Sequence, residues 1–210
     1  GSGIEISNSS AIVSDRAVSK EDYALDFDGS PKVSGGDPII PTADGAQFSV
    51  EAWVMPDSVT GYDTILTQQT ADSNDYFYLG LYQTGTSYYV DIGRDNSDDQ
   101  QAAIPDPTGK WMHIAVTVAT DDSIELFVDG TLVADFNKGN DGTGPNFAIG
   151  SYVDGTYPFD GQIDQVKIWN DVRTQSEIVA SMHAWGNPAS GDTSLISQYD
   201  FNDNTQETVL

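Results

Sequence analysis

Oxygen-bearing side chains crowd into a few short stretches of this sequence, an arrangement suited to hard cations and hydroxylated ligands. Asp72-Ser73-Asn74-Asp75 and Asp95-Asn96-Ser97-Asp98-Asp99 pack carboxylates and amides at a spacing that can set several oxygens around one ion. Calcium takes six to eight such oxygens, and sugar hydroxyls can complete its shell. Asp72, Asn74, Asp75, Asp95, Asn96, Asp98 and Asp99 are therefore candidate rim calcium ligands. Asp154, in the loop from Tyr152 to Tyr157, joins them. Asn140-Asp141-Gly142 has the look of a calcium-repeat turn, but a single copy has no neighbour on which to stack. The competing reading of every one of these loops is a solvated acidic tip.

Tyrosines supply the second chemistry. Tyr76, Tyr78, Tyr82, Tyr88, Tyr89, Tyr152 and Tyr157 exceed what a core uses, because a buried phenol needs a partner for its hydroxyl. Tyr152, Tyr157, Tyr76 and Tyr88 are singled out as ligand-stacking rings. Tyr152 and Tyr157 flank a loop glycine.

Catalytic constellations are scarce. Glycoside hydrolysis needs two carboxyl groups held about 5 to 9 Å apart. The six glutamates, Glu5, Glu21, Glu51, Glu125, Glu177 and Glu207, are all distant from one another in sequence. His113 and His183 lack a surrounding nucleophile pattern. No catalytic residue is assigned, and the chain reads as a non-enzyme.

The elements that must position these groups are short and strand-like. Phe48, Val50, Ala52 and Val54 alternate with Ser49 and Glu51, and Trp53 on the polar side suggests that this second face is also covered. Asp129-Gly130 joins two strands as a tight hairpin, whose primed turn needs positive φ. The one helical signal is Thr174-Gln175-Ser176-Glu177, a capping box, followed by Ile178 and Met182 on one face. About ten strands and one short helix predict an all-β, two-sheet antiparallel sandwich.

Composition narrows the setting. Eight Lys and Arg stand against 33 Asp and Glu, for a formal net charge of −25. Such a surface repels nucleic acid and anionic membranes. Of the acids, 27 are Asp, the residue of turns and hard-cation sites. There is no cysteine, hence no disulfide. No stretch approaches the roughly 20 apolar residues of a membrane span. Gly1-Ser2-Gly3 reads as an expression scar, residues 4–21 as a lead-in and residues 22–210 as the sandwich. The piece is expected to be a monomeric domain within a longer secreted or cell-surface chain.

The ordered set ALDFDGS (24–30), FSVEAWVMPDS (48–58), KWMHIAVTV (110–118), IELFVDGTLV (124–133), FAIGS (147–151) and FDGQIDQVKIWNDVRTQSEI (159–178) resembles the LamG-like jelly-roll domains of the concanavalin A-like lectin/glucanase superfamily. The resemblance implies two face-to-face sheets, a glycan or peptide ligand on the concave face or rim, and bound calcium. It also implies a structural calcium held by Asp28, Gly29 and Asp164, since the matching first and late strands of relatives lie together around a cation. Hydrolases on this fold carry Glu-x-Asp-x-x-Glu on one strand, and that motif is missing here. Modules this acidic are similar to those of large adhesins from aquatic bacteria. The expected function is calcium-dependent, lectin-like binding of glycans on a cell surface or matrix. The alternatives are a protein- or peptide-binding or spacer module, and more remotely a polysaccharide hydrolase or its appended binding domain.

Overall fold

The computed structural model describes residues 24–29, 38–70, 77–93, 99–121, 123–137, 143–184, 192–199 and 201, and the backbone alone at 5–6, 12–13, 33–35, 76 and 94. In chain order the elements are β1 (Glu5–Ile6), β2 (Ile12–Val13), β3 (Ala24–Asp28), β4 (Val33–Gly35), β5 (Phe48–Pro56), β6 (Tyr62–Gln69), β7 (Tyr76–Thr84) and β8 (Ser87–Arg94). They continue with β9 (Gln100–Ile104), β10 (Met112–Val118), β11 (Ser123–Val128), β12 (Thr131–Asn137), β13 (Asn146–Ile149), β14 (Asp160–Trp169), α1 (Gln175–Ser181) and β15 (Leu195–Tyr199). One sheet runs β1-β4-β13-β6-β7-β8-β9. The other runs β12-β11-β10-β5-β14-β3-β2, with β15 also on β14. Every pairing is antiparallel. This is the predicted jelly-roll sandwich.

The period-two pattern decides which side chains meet between the sheets. Phe48, Val50, Ala52 and Val54 of β5 are buried in one core with Phe77, Leu79 and Leu81 of β7 and with Val90 and Ile92 of β8. Phe48 and Phe77 meet edge to face at 5.1 Å, a favoured ring geometry. The buried Gln68 amide is fully used. Its oxygen accepts from the Ile39 and Ile40 amides at 2.7 and 2.8 Å, and its nitrogen donates to the Ile40 carbonyl and Thr143 Oγ1. It thereby pins the 38–41 segment to β6.

The hairpin between β11 and β12 carries positive φ at both Asp129 (49°) and Gly130 (72°). The helix begins at its capping box: Glu177 N–H donates to Thr174 Oγ1, and the Glu177 carboxylate accepts from Thr174 N–H at 2.8 Å. Ile178 packs on Ala115 and Phe127, which lays α1 on the outer face of the β12-to-β2 sheet. Trp53 donates its indole N–H to the Met182 carbonyl at 3.1 Å, so the expected covering of that face is the helix. Among the described residues no helix is long and apolar enough to cross a membrane.

Candidate functional site

With α1 on one sheet, the outer face of the other carries the tyrosines. On β6, β7 and β8 the side chains that turn away from the core include Tyr62, Thr64, Tyr78, Tyr82, Tyr89 and Asp91, in alternation with Leu79, Leu81, Val90 and Ile92. Cross-strand pairing sets Tyr62 beside Tyr82, with ring centroids 4.5 Å apart. Tyr82 meets Tyr89 at 6.2 Å. Tyr62 meets Tyr157 at 5.5 Å, Tyr157 meets Tyr152 at 5.1 Å, and Tyr152 meets Tyr78 at 5.5 Å. Six rings therefore form one continuous surface.

Loop 152–157 brings two of those rings over the sheet. Asp154 shapes it: its Oδ1 accepts from Thr156 N at 2.9 Å and Thr156 Oγ1 at 2.7 Å. Those bonds hold the exposed Asp154 carboxyl below its ordinary value. Tyr152 N–H donates to the Thr156 carbonyl, closing the loop, and Thr64 N–H donates to the Tyr157 carbonyl at 3.0 Å, tying it to β6. Tyr157 has a φ of 49° and is 47% exposed, the most open ring of the set.

Beneath the rings lie polar atoms with no hydrogen-bond partner. Thr64 Oγ1, the Tyr78 hydroxyl and both carboxylate oxygens of Asp91 are buried and unpartnered. Register places Thr64 and Asp91 on either side of Gly80. The Tyr78 hydroxyl leans over the same glycine, so close that a Cβ there would lie 2.1 Å from it. Burial pushes the Asp91 carboxyl up to about 7, reinforced by the Asp99 charge. The Gln101 amide, its neighbour on β9, opposes that rise without closing a hydrogen bond. Burial, with the same Asp91 charge, raises the Tyr78 phenol well above its ordinary value. Asp63, opposite the core residue Leu81, is pushed up to about 6 mainly by burial, against a lowering bond from the Thr60 backbone.

The sequence-predicted residues fare unequally in space. Tyr152 and Tyr157 stand in the ring surface, whereas Tyr88 packs against the core from the inner side. Tyr76 is placed by its backbone alone, opposite Gln69. Asp99 sits beside Asp91 at the start of β9. Asp72, Asn74, Asp75, Asp95, Asn96 and Asp98 lie outside the described residues, as do residues 140–142. Asp28 ends β3 opposite Asp160, and Gly29 N–H donates to the Phe159 carbonyl at 3.2 Å. Asp164 lies four residues further along β14, about 13 Å at strand spacing. It is buried, with its Oδ1 accepting from Gln165 N at 2.7 Å. Asp160, not Asp164, is thus the carboxylate facing Asp28, and its Oδ2 accepts from Ser58 Oγ at 2.6 Å. Among the described residues no three His, Cys, Asp or Glu side chains gather to hold a metal. Tyr62, Thr64, Asp63 and Asp91 were missed by sequence reasoning. The outward parity of Tyr62 and Asp91 on their strands was the available signal.

A second polar cluster lies under α1. Glu51, which looked solitary in sequence, accepts from Ser181 Oγ at 2.8 and 3.0 Å and lies 3.3 Å from His113 Nε2. Lys167 donates to the Ser181 carbonyl at 2.7 Å and also reaches Ser181 Oγ and the Ala184 carbonyl. Desolvation lowers the Lys167 ammonium, against the raising effect of Glu51 and Asp164. Ser181 binds the carboxylate rather than the imidazole, and Glu51, His113 and Lys167 are all buried. The cluster fastens the helix to the sheet.

A family model described as the concanavalin A-like lectin/glucanases superfamily matches residues 27–179. The chain belongs to that superfamily. Its solved structural relatives share the fold at low identity. A candidate carbohydrate binding protein from Bacteroides ovatus matches with a TM-score of 0.69 at 20% identity, over 90% of this chain and 54% of that one. The CBM40 of the Ruminococcus gnavus IT-sialidase matches with a TM-score of 0.61 at 17% identity, over 77% and 96%. The enzymatically active domain of bacteriophage CBA120 tailspike protein 2 matches with a TM-score of 0.72 at 14% identity, over 97% and 33%. This superfamily member thus spans about half the length of the Bacteroides ovatus protein and a third of the tailspike domain. Comparison with curated proteins finds no match.

Proposed function

We propose that this domain is a non-catalytic carbohydrate-binding module that engages glycans through the tyrosine face opposite α1. The observation that carries this reading is the continuous surface of six rings, opened to solvent at Tyr157. Aromatic faces meet the axial C–H groups of sugar rings, and polar groups at their margins fix orientation. The likeness to carbohydrate-binding modules supports it.

The electrostatics favour neutral glycans over acidic ones. Among the described residues the side chains of Lys110, Lys167 and Arg173 are the cationic Lys and Arg groups, and each is engaged away from this face. Asp63, Asp91 and Asp99 surround it with negative charge, which opposes a carboxylated or sulfated sugar. The reading extends to calcium dependence and to an extracellular adhesin, secreted or on a cell surface. Support for these comes from the abundance of Asp over Glu and the net charge of −25. Affinity for one sugar would be modest, with avidity from repeated copies.

A glycan array probed with and without chelator tests the reading. Wild type is expected to bind neutral glycans, with Tyr62→Ala and Tyr157→Ala each weakening binding by roughly tenfold, the scale of a lost stacking contact. Chelation is expected to abolish it. Retention of no glycan, or variants that bind like wild type, would sink the assignment. Binding to protein that sugars do not compete would point instead to a peptide-recognition module.

A further inference from the structure

We infer that the outer edge of β12 docks an extended segment of a partner protein that bears Lys or Arg, as a strand added to the sheet. The site lies on the sheet that carries α1, away from the tyrosine face, and does not depend on glycan binding there.

The edge itself is open. β12 ends its sheet, and among the described residues it pairs with β11 alone. β9, which ends the facing sheet, approaches β12 without pairing with it. Ala134 and Phe136 pack against the core and hold β12 in place, while Thr131, Leu132, Val133, Asp135 and Asn137 are exposed. Val133 is the extra residue where the register shifts against β11. One row of backbone N–H and C=O groups therefore faces solvent, a template on which another strand can pair.

An apolar ledge runs beside this edge. Leu132 and Val133 are each 42% exposed and Val179 is 40% exposed; with Tyr157 they are the exposed large hydrophobics of the described chain. All three belong to one corner, where the β11–β12 hairpin meets α1. Leu132 pairs with Phe127, which packs on Ile178 of the helix. A Cβ on Gly130 would lie 2.7 Å from Val179 Cγ2, and the Gly130 carbonyl accepts from Gln175 Nε2 at 2.8 Å. Exposed apolar residues gathered in one place, rather than scattered singly, mark an interaction surface.

Charge selects the occupant. Register sets Asp135 directly opposite Glu125, and like charges so placed on adjacent strands repel. Glu125 and Phe127 alternate along β11, so their partners Asp135 and Leu132 share the outer face. The described Lys and Arg side chains are engaged elsewhere: Lys110 with the Asp106 carbonyl, Lys167 under α1 and Arg173 with Asp192. A second copy would lay the same acids against themselves, with a net charge of −25 on each chain. A strand carrying Lys or Arg meets Asp135 and Glu125 with opposite charge and rests an apolar side chain on Leu132. The acids that guard this edge against its own copies thereby admit a basic partner.

Calorimetric titration with a short synthetic peptide alternating Lys and Val tests this, with hydrogen exchange locating the contact and circular dichroism checking the fold of each variant. Wild type is expected to bind the peptide and to slow exchange of amides within β12. A peptide alternating Lys and Pro carries the same charge but cannot pair as a strand, and is expected not to bind. Asp135→Lys is expected to weaken binding roughly tenfold, because an attraction becomes a repulsion. Leu132→Ala is expected to weaken it by a smaller factor. Asp57→Lys makes the same change in net charge beyond the far end of β5, whereas Asp135 is level with its start through Glu125, Thr117 and Ser49; it is expected to leave binding unchanged. No binding by wild type, equal losses in the two Lys variants, equal binding of the two peptides, or unchanged exchange in β12 would overturn the inference. Wild-type dimers that Asp135→Lys disrupts would overturn it in favour of a second copy. Glycan retention on the array is expected to ignore Asp135→Lys, so this site and the lectin reading stand or fall separately.

Discussion

The two outer faces of the sandwich solve the same problem in opposite ways. Both bury charged groups on the side of a sheet that faces away from the core. Under α1, the Glu51 carboxylate accepts the single Ser181 hydroxyl proton, shared between its two oxygens, and lies beside His113, while Lys167 reaches three oxygens. Single atoms such as His113 Nδ1 stay unpaired there, but the Glu51 and Lys167 head groups both have partners. Under the tyrosines, Asp91 has two orphaned oxygens and an acidic neighbour. The first face is completed by the chain's own helix. The second is covered by tyrosine rings and loop 152–157, which offer those oxygens no hydrogen bond. Where the fold supplies donors, the buried carboxylate fastens one element to another; where it supplies few, burial pushes the Asp91 carboxyl toward its protonated form.

Removing Glu51 should have the largest effect on this contrast. Glu51→Ala strips the buried Lys167 of the nearer of two carboxylates and Ser181 of its acceptor, and is expected to cost about 3–5 kcal/mol in urea unfolding. A cost under about 1 kcal/mol would mean the cluster is not the fastening of the helix. Ile178→Ala should cost about 2–4 kcal/mol by the same measurement, since it empties a fully buried anchor between α1 and Ala115 and Phe127.

The tyrosine side should respond to pH rather than to truncation. Asp63 is raised to about 6 in the folded state, above its ordinary carboxylate value of 3.8. The unfolded chain therefore releases this proton first as pH rises. The stabilisation from Asp63 is complete below about pH 4, falls through the interval, and is gone above about pH 6. Thermal melting in chelator should show this decline, on the order of 2 kcal/mol. Asp63→Asn should make it shallower, leaving the part that Asp91, raised to about 7, contributes over the same range. An unchanged slope in the variant would remove Asp63 as its source. Smallest in stability is Tyr157→Ala, expected to shift unfolding by less than about 0.5 kcal/mol because the ring is so exposed, even as glycan affinity falls. Equal losses of stability and binding would make Tyr157 a packing residue.

Much of the fold was legible in local pattern. The alternation of β5, the Asp129-Gly130 hairpin and the Thr174–Glu177 box each require only neighbouring residues to take a definite backbone form, and each is found. Trp53 on the polar side of β5 even announced that this face is covered. The site was less legible. Tyr152 and Tyr157 stood out because a loop glycine separates them, but Tyr88 differs from Tyr89 only in parity, and one points inward while the other joins the rings. Asp164 looked like a partner for Asp28 until strand register set Asp160 opposite it.

By itself the sequence determined the sandwich, its single capped helix, its acidity and its wealth of tyrosine, because periodicity, capping and composition act over a few residues or none. Tertiary structure alone decided that Glu51, His113, Ser181 and Lys167 would meet under the helix, and that Thr64 and Asp91 would flank Gly80 with the Tyr78 hydroxyl over it. Those meetings join residues from separate strands or from strand and helix, and only the register of antiparallel pairing fixes which side chains become neighbours.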